Sequence, residues 1–282
     1  GAMAHNRWLV ELCANDPARH IGVASIPLLW DVGQAVEAVR WCVDNGLRAV
    51  MIPTLWGEQD PYHHVKYDPF WAICEDLGVI VHFHSGPAPH AEYFGQNFPE
   101  EDRRDELPGA MGIYVSEVMW WLYRPLTFMI WGGVFERFPK LKVMIVEGGT
   151  MFMLPPWLRL MDFHHTEGQI SAKLGNFRKH LSMKPSEYFQ RNVGIGASCV
   201  LRPDLDLRDE IGVEKIMWGS DYPHPEGSWP HTAQYLKDNF GNFPEADGPR
   251  ILGENAVEFY GLDRERLQTV ADEIGPDASI FN

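Results

Sequence analysis

Positive charge is scarce in this chain, cysteine is sparse and scattered, and no long hydrophobic run occurs. Lys and Arg number 24 against 39 Asp and Glu, a net charge of −15. Such a field repels phosphate backbones and anionic lipid, which sets nucleic acid and membrane surfaces aside as partners and leaves a small molecule. Cys13, Cys42, Cys74 and Cys199 include no close pair of the kind that builds a zinc knuckle or a redox motif, and are expected to be reduced, buried thiols. With no apolar stretch of about 18 residues, and no signal-peptide order of basic, apolar and small residues, the chain is expected to be soluble and cytoplasmic. Gly1, Ala2 and Met3 read as the scar of a removed tag, and residues 4–282 are expected to form a single domain.

What is present is enough apolar material for one large core: 45% of 282 residues are hydrophobic. Short apolar runs of strand character alternate with longer segments of helical periodicity, a pattern that predicts a parallel sheet with crossover helices. The strand candidates are IGVASIPL from 21, RAVMIPT from 48, GVIVHFHSG from 78, KVMIVEGG from 142, NVGIGASC from 192 and KIMWGSD from 215. Between the first two of these, VGQAVEAVRWCVDNG places Val32, Ala35, Val36, Val39 and Val43 on one helical stripe and stops at Gly46. The apolar helix around YVSEVMWWLYRPLTFMIW is expected to break or kink at Pro125, and Pro87 to Gly109 to form a long loop.

In α/β barrels the chemistry sits at the C-terminal ends of the parallel strands, so donors at those ends are the candidates. His82 and His84, two apart on one strand, point to the same face. Glu147 ends the next strand, before two glycines, and Asp221 ends the last, three residues before His224. Imidazole and carboxylate are donors suited to zinc or manganese, and a carboxylate beside them serves as a base. Plainer readings stand beside these: a His-x-His on a strand packs or hydrogen-bonds within a core, and an Asp before Tyr-Pro suits a turn. His63, His64, His164 and His165 read as rim or surface residues, and the eleven tryptophans as core or interface.

Four stretches then resemble the amidohydrolase superfamily, in the branch of aminocarboxymuconate-semialdehyde decarboxylase. They are NRWLVELCANDPARHIGVASIPL at 6, GVIVHFHSG at 78, GGVFERFPKLKVMIVEGG at 132, and IMWGSDYPHPEGSWP continuing to RILGENAVEFYGL at 250. The resemblance implies a TIM-type (β/α)8 barrel, a homodimer, and a divalent metal, zinc first and manganese second. It implies a hydrolase or non-oxidative decarboxylase of a small carboxylated or cyclic compound. In that pattern Asp221 matches the catalytic, metal-facing aspartate and His84 the histidine ligand of the fifth barrel strand. Glu147 stands where many relatives carry histidine and remains a candidate ligand, while His224 and His82 are assigned to substrate. Nothing before His84 matches the family's first-strand His-x-His pair. The six strands resemble strands three to eight, so the first two are expected to be missing or remodelled and metal occupancy to suffer. A non-catalytic barrel used for binding or assembly is the alternative.

Overall fold

In a computed structural model that describes residues 1–85, 109–148, 151–166 and 175–281, the chain forms one six-stranded, all-parallel sheet flanked by helices. The elements, in chain order, are α1 (Ala2–Cys13), β1 (Val23–Ser25), α2 (Val32–Asp44), β2 (Ala49–Met51), α3 (Asp68–Asp76) and β3 (Ile80–His84). There follow α4 (Ala110–Trp131), β4 (Val143–Val146), α5 (Leu154–Thr166), α6 (Pro185–Asn192), β5 (Val193–Ser198), β6 (Ile216–Gly219), α7 (Thr232–Phe240), α8 (Asn255–Tyr260) and α9 (Arg264–Ile274). The strands lie side by side in sequence order, β1 to β6, each joined to the next through helical segments, as consecutive parallel strands need a crossover connection. All six lie inside the predicted runs. Pro87 to Pro108 and Gly149 fall outside the described residues. No helix among those described is long and apolar enough to cross a membrane.

Alternation along the strands divides the core. Val81, Phe83, Val143, Ile145, Val193, Ile195, Ala197 and Ile216 face the helices and join the main cluster with α2, α3 and α4. Their neighbours Ile80, Met144 and Met217 face the other way, and form a second cluster with Ala256, Phe259 and Tyr260 of α8. A short C-terminal helix therefore lies against the sheet face that would be the interior of a closed barrel. Helix α2 is capped by Asp31, whose carboxylate accepts from Gln34 N at 2.7 Å, and ends before Gly46 at φ +85°. Its fully buried stripe is Ala35, Ala38, Val39 and Cys42, and the predicted Val32, Val36 and Val43 flank it, partly buried against the same core. Helix α4 runs through Pro125 without ending there, so of the expected break or kink the break does not occur. Leu122 and Tyr123 before the proline, and Leu126, Met129 and Ile130 after it, are all buried, and this packing holds both halves to the core.

The two sheet edges are finished by asparagine side chains. Ile26 N donates to Met51 O, so residue 26 faces β2 and Ser25 faces away from it. There the Ser25 N–H donates to Asn6 Oδ1 at 2.9 Å, and Asn6 Nδ2 donates to Ser25 O at 3.0 Å, as a neighbouring peptide group would. At the other edge Asn255 Nδ2 donates to Ile216 O at 2.8 Å and to Val213 O at 2.7 Å. Both asparagines are buried. From Asn255 the chain crosses under the sheet face to α9, where Arg266 meets Asp16, just beyond α1, at 3.3 Å. The expectation of missing or remodelled strands thus takes a definite form: α1 covers one edge, and the segment through α8 covers the other and part of the inner face. Replacing Asn6 by Ala removes two hydrogen bonds and strands the Ser25 backbone. The urea midpoint should fall by the equivalent of about 2 kcal/mol, and an unchanged midpoint would show that the edge needs no such cover.

Candidate active site

Three consecutive strand ends carry a non-glycine residue in the left-handed region: Glu147 after β4 (φ 58°), Cys199 after β5 (φ 47°) and Asp221 after β6 (φ 58°). Such backbone costs on the order of 1 kcal/mol or more per residue and gathers where side chains are aimed for function. Cys199 was not singled out from the sequence, although its place directly after NVGIGAS matches that of the other two. Its thiol donates to Ser220 O and Glu226 O, both at 3.6 Å, and so ties the loop that carries Asp221 and His224 to the end of β5.

The predicted donors stand in two pairs. His84 Nε2 lies 3.4 Å from Glu147 Oε1. The Ser85 hydroxyl also donates to Glu147, and the Thr54 hydroxyl donates to the carbonyl of His84. His84 Nδ1 faces the Ser85 carbonyl at 2.6 Å, and because a carbonyl only accepts, Nδ1 carries a proton. Nε2 then faces a carboxylate, and a proton or a cation belongs between the two. At the end of β6, His224 Nδ1 lies 3.3 Å from Asp221 Oδ2, and His224 N donates to Asp221 O at 2.8 Å. Glu226 N donates to the same Nδ1 at 3.3 Å, which fixes the ring over its own loop.

Two donors of one tetrahedral ion, each about 2.1 Å from it, stand about 3.4 Å apart, so the His84–Glu147 pair has the spacing of two metal ligands. The set stops there. Among the described residues no three His, Cys, Asp or Glu side chains converge as a metal site, and the expected trio of His84, Glu147 and Asp221 is not one cluster. The residues described do not by themselves fit a divalent ion.

His82 has a different place. It is 1% exposed, and its Nδ1 lies 3.1 Å from Ile80 O and 3.3 Å from Val50 O. Its Nε2 lies 2.7 Å from the Tyr260 hydroxyl of α8. Burial pushes the His82 pKa down to about 4, so the ring is neutral near pH 7. As a substrate contact His82 is covered, in this structure, by Tyr260. That partner lies far along the chain in the phrase FYGL, where nothing in the sequence marks it.

A cavity of about 210 Å³ opens on the same inner face, lined by Met144, Val146, Gly196, Met217, Gly219 and Tyr260 among others. It lies directly under the strand ends that bear Glu147, Cys199 and Asp221. Val146, Ser198 and Gly219, the last residues of those strands, line it, whereas roomier cavities of about 500 Å³, around His63, Phe128, Trp131 and His180, and about 560 Å³, around His20, Arg48 and Asp263, reach none of the three. Position relative to the chemistry, not volume, selects the smaller one.

A family model described as Amidohydrolase matches residues 1–262. The 2-amino-3-carboxymuconate-6-semialdehyde decarboxylase of Dictyostelium discoideum is 26% identical over 92% of the chain, which spans 66% of that relative's length. The gamma-resorcylate decarboxylase of Rhodococcus jostii is also 26% identical over 92% of the chain and is matched over 76% of its own length. The structure of a dihydroxybenzoic acid decarboxylase from a Polaromonas species, with bound manganese and the inhibitor 2-nitroresorcinol, superposes with a TM-score of 0.69 at 24% identity. That match covers 93% of this chain and 75% of the other.

Proposed function

Because the chain belongs to the amidohydrolase family, we propose that it catalyses non-oxidative decarboxylation of a small carboxylated aromatic compound. One observation carries this reading: an acid–base pair, Asp221 with His224 at 3.3 Å, stands at a strand end above an apolar cavity of ring size. The names of the relatives, decarboxylases of carboxylated small molecules, agree with it. In the reaction, Asp221 delivers a proton to the ring carbon that bears the carboxylate. The carbon–carbon bond then breaks, its electron pair returns to the ring, and carbon dioxide leaves. His224 restores the proton to Asp221 from solvent, to which it is half exposed. The His84–Glu147 pair would offer two ligands to a divalent cation, manganese or zinc, whose remaining donors lie outside this pair. A homodimer belongs to the same reading, and Trp8 and Trp30, both more than half exposed near β1, offer apolar surface for a second copy.

The test is incubation of the chain with 2,6-dihydroxybenzoate and its monohydroxy analogues, with and without added manganese or zinc, while carbon dioxide and ring products are followed. Equimolar carbon dioxide and decarboxylated ring support the proposal. Water addition without carbon dioxide would make the chain a hydrolase instead. The separation of the donors into pairs favours a second reading, a barrel scaffold without chemistry; no product from any compound, together with trace metal after dialysis against either cation, would establish that one.

A further inference from the structure

The hydrogen bonds around His82 dictate which way the Tyr260 hydroxyl points. Nδ1 of His82 faces two backbone carbonyls, at 3.1 and 3.3 Å, and these accept only. The single proton of the neutral ring is therefore on Nδ1, and Nε2 presents a lone pair. At 2.7 Å from that lone pair, Tyr260 must donate. Its hydrogen is spent on His82, and the phenol oxygen keeps only acceptor capacity. Met144 pairs with His82 across the β3–β4 ladder, and both Met144 and Tyr260 line the 210 Å³ cavity. The remaining walls are mostly apolar or glycine, with Ser198 and Trp218 as the other residues that carry a polar atom; a Cβ on Gly219 would meet nothing nearer than Ser198 Oγ at 3.7 Å, so the missing side chain leaves open space beside the strand. The cavity is thus a slot for a flat apolar ring, and Tyr260 is the group in its lining whose polarity the hydrogen bonds fix as an acceptor, since the Ser198 hydroxyl can turn either way.

The geometry points to Tyr260 as a specificity residue: held by His82, it accepts a hydrogen bond from a hydroxyl or amino group on the ring, and selects ring compounds that carry such a donor over those that do not. The inference rests on the reading of this cavity as the ring site of the proposed reaction. It adds the group that the deep end of the site recognises and the orientation that follows, with the donor substituent toward Tyr260 and the carboxylate toward the strand ends. The Tyr260 oxygen, able only to accept, also repels a carboxylate, so a ring entering the wrong way round leaves an anion facing a lone pair.

Phenol and fluorobenzene separate the recognition from the reaction, since they match in shape, differ in the donor, and have no carboxylate to lose. Fluorobenzene binding is read by fluorine NMR, and phenol by its displacement. In the unmodified chain phenol should bind about 3- to 10-fold more tightly, the value of one net hydrogen bond. Tyr260→Phe should bring the two affinities together while leaving fluorobenzene unchanged, and Gly219→Val, which fills the slot, should abolish both. Equal affinities in the unmodified chain, a preference for phenol that survives Tyr260→Phe, or ring binding that survives Gly219→Val would each overturn the assignment. If Tyr260→Phe removes the preference but hydroxybenzoates release no carbon dioxide, the recognition stands and the proposed reaction falls. If carbon dioxide is released but the preference is missing, the reverse holds.

Discussion

Replacing Asp221 by Asn should lower the rate of carbon dioxide release by about 10³-fold, the usual worth of a positioned acid–base group. Asparagine is the informative substitution because the residue sits at φ 58°, a conformation that Asn tolerates and Ala does not. Asp221→Ala would mix lost chemistry with backbone strain. The amide keeps the size of the side chain and can still stand beside His224, but it cannot take up and give back a proton at neutral pH. Unfolding in urea should stay within about 0.5 kcal/mol of the parent, so that the loss is read in turnover alone. His224→Gln should cost less, about 10-fold, because solvent reaches Asp221 even without the imidazole. A turnover that survives Asp221→Asn would move the proton chemistry away from the end of β6 and leave the His84–Glu147 pair as the remaining candidate.

Such a test is possible because the strand ends could be read from the sequence. Each apolar run that became a strand was short, β-branched and followed by a turn, and a parallel sheet places all its C-terminal ends on one side. Asp221, Glu147 and His84 were therefore placed correctly at strand ends from local pattern alone. Their pairing was not legible. Whether His84 meets Glu147 or Asp221 depends on side-chain reach across the sheet, and the expectation of one shared cluster gave way to two pairs, 3.4 and 3.3 Å across. The second Asn–backbone clasp escaped for a related reason. Asn6 and Asn255 look like ordinary polar residues on helices, and only the fold shows that Asn6 stands in for a peptide group beside β1 and that Asn255 donates to the backbone of β6.

Pro125 and α8 show the same limit from the packing side. A proline inside an apolar helical run is a local breaking signal, but burial on both sides of it outweighs one lost hydrogen bond. The phrase NAVEFYGL carries part of the family resemblance, yet the position of α8 on the inner face follows from what the sheet leaves uncovered. Ile80, Met144 and Met217 need apolar cover, and Ala256, Phe259 and Tyr260 supply it. Once α8 lies there, His82 loses contact with water. A residue chosen as a substrate contact becomes instead the anchor for Tyr260, a reassignment made by tertiary burial and invisible to spacing.

That burial has a consequence for acid stability. In the unfolded chain His82 takes up its proton near pH 6.5, whereas in the folded chain burial delays this to about pH 4. Between these values the unfolded state binds the extra proton and the folded state does not, so stability falls as pH is lowered through the window and is fully recovered above it. The gap corresponds to a loss of about 3 kcal/mol by pH 4, of which about 2 kcal/mol is gone by pH 5. For a chain of this length that lowers the melting temperature by roughly 4 °C between pH 7 and pH 5. His63, whose pKa burial also lowers, acts in the same direction. His82→Gln removes the titrating group while keeping an acceptor for the Tyr260 hydroxyl. Its melting temperature at pH 7 should be close to or below that of the parent, and its decline toward pH 5 should be visibly shallower. Parallel declines in the two proteins would mean that His82 is reached by water in the folded state, and that α8 does not cover the inner face of the sheet as tightly as the Tyr260 contact requires.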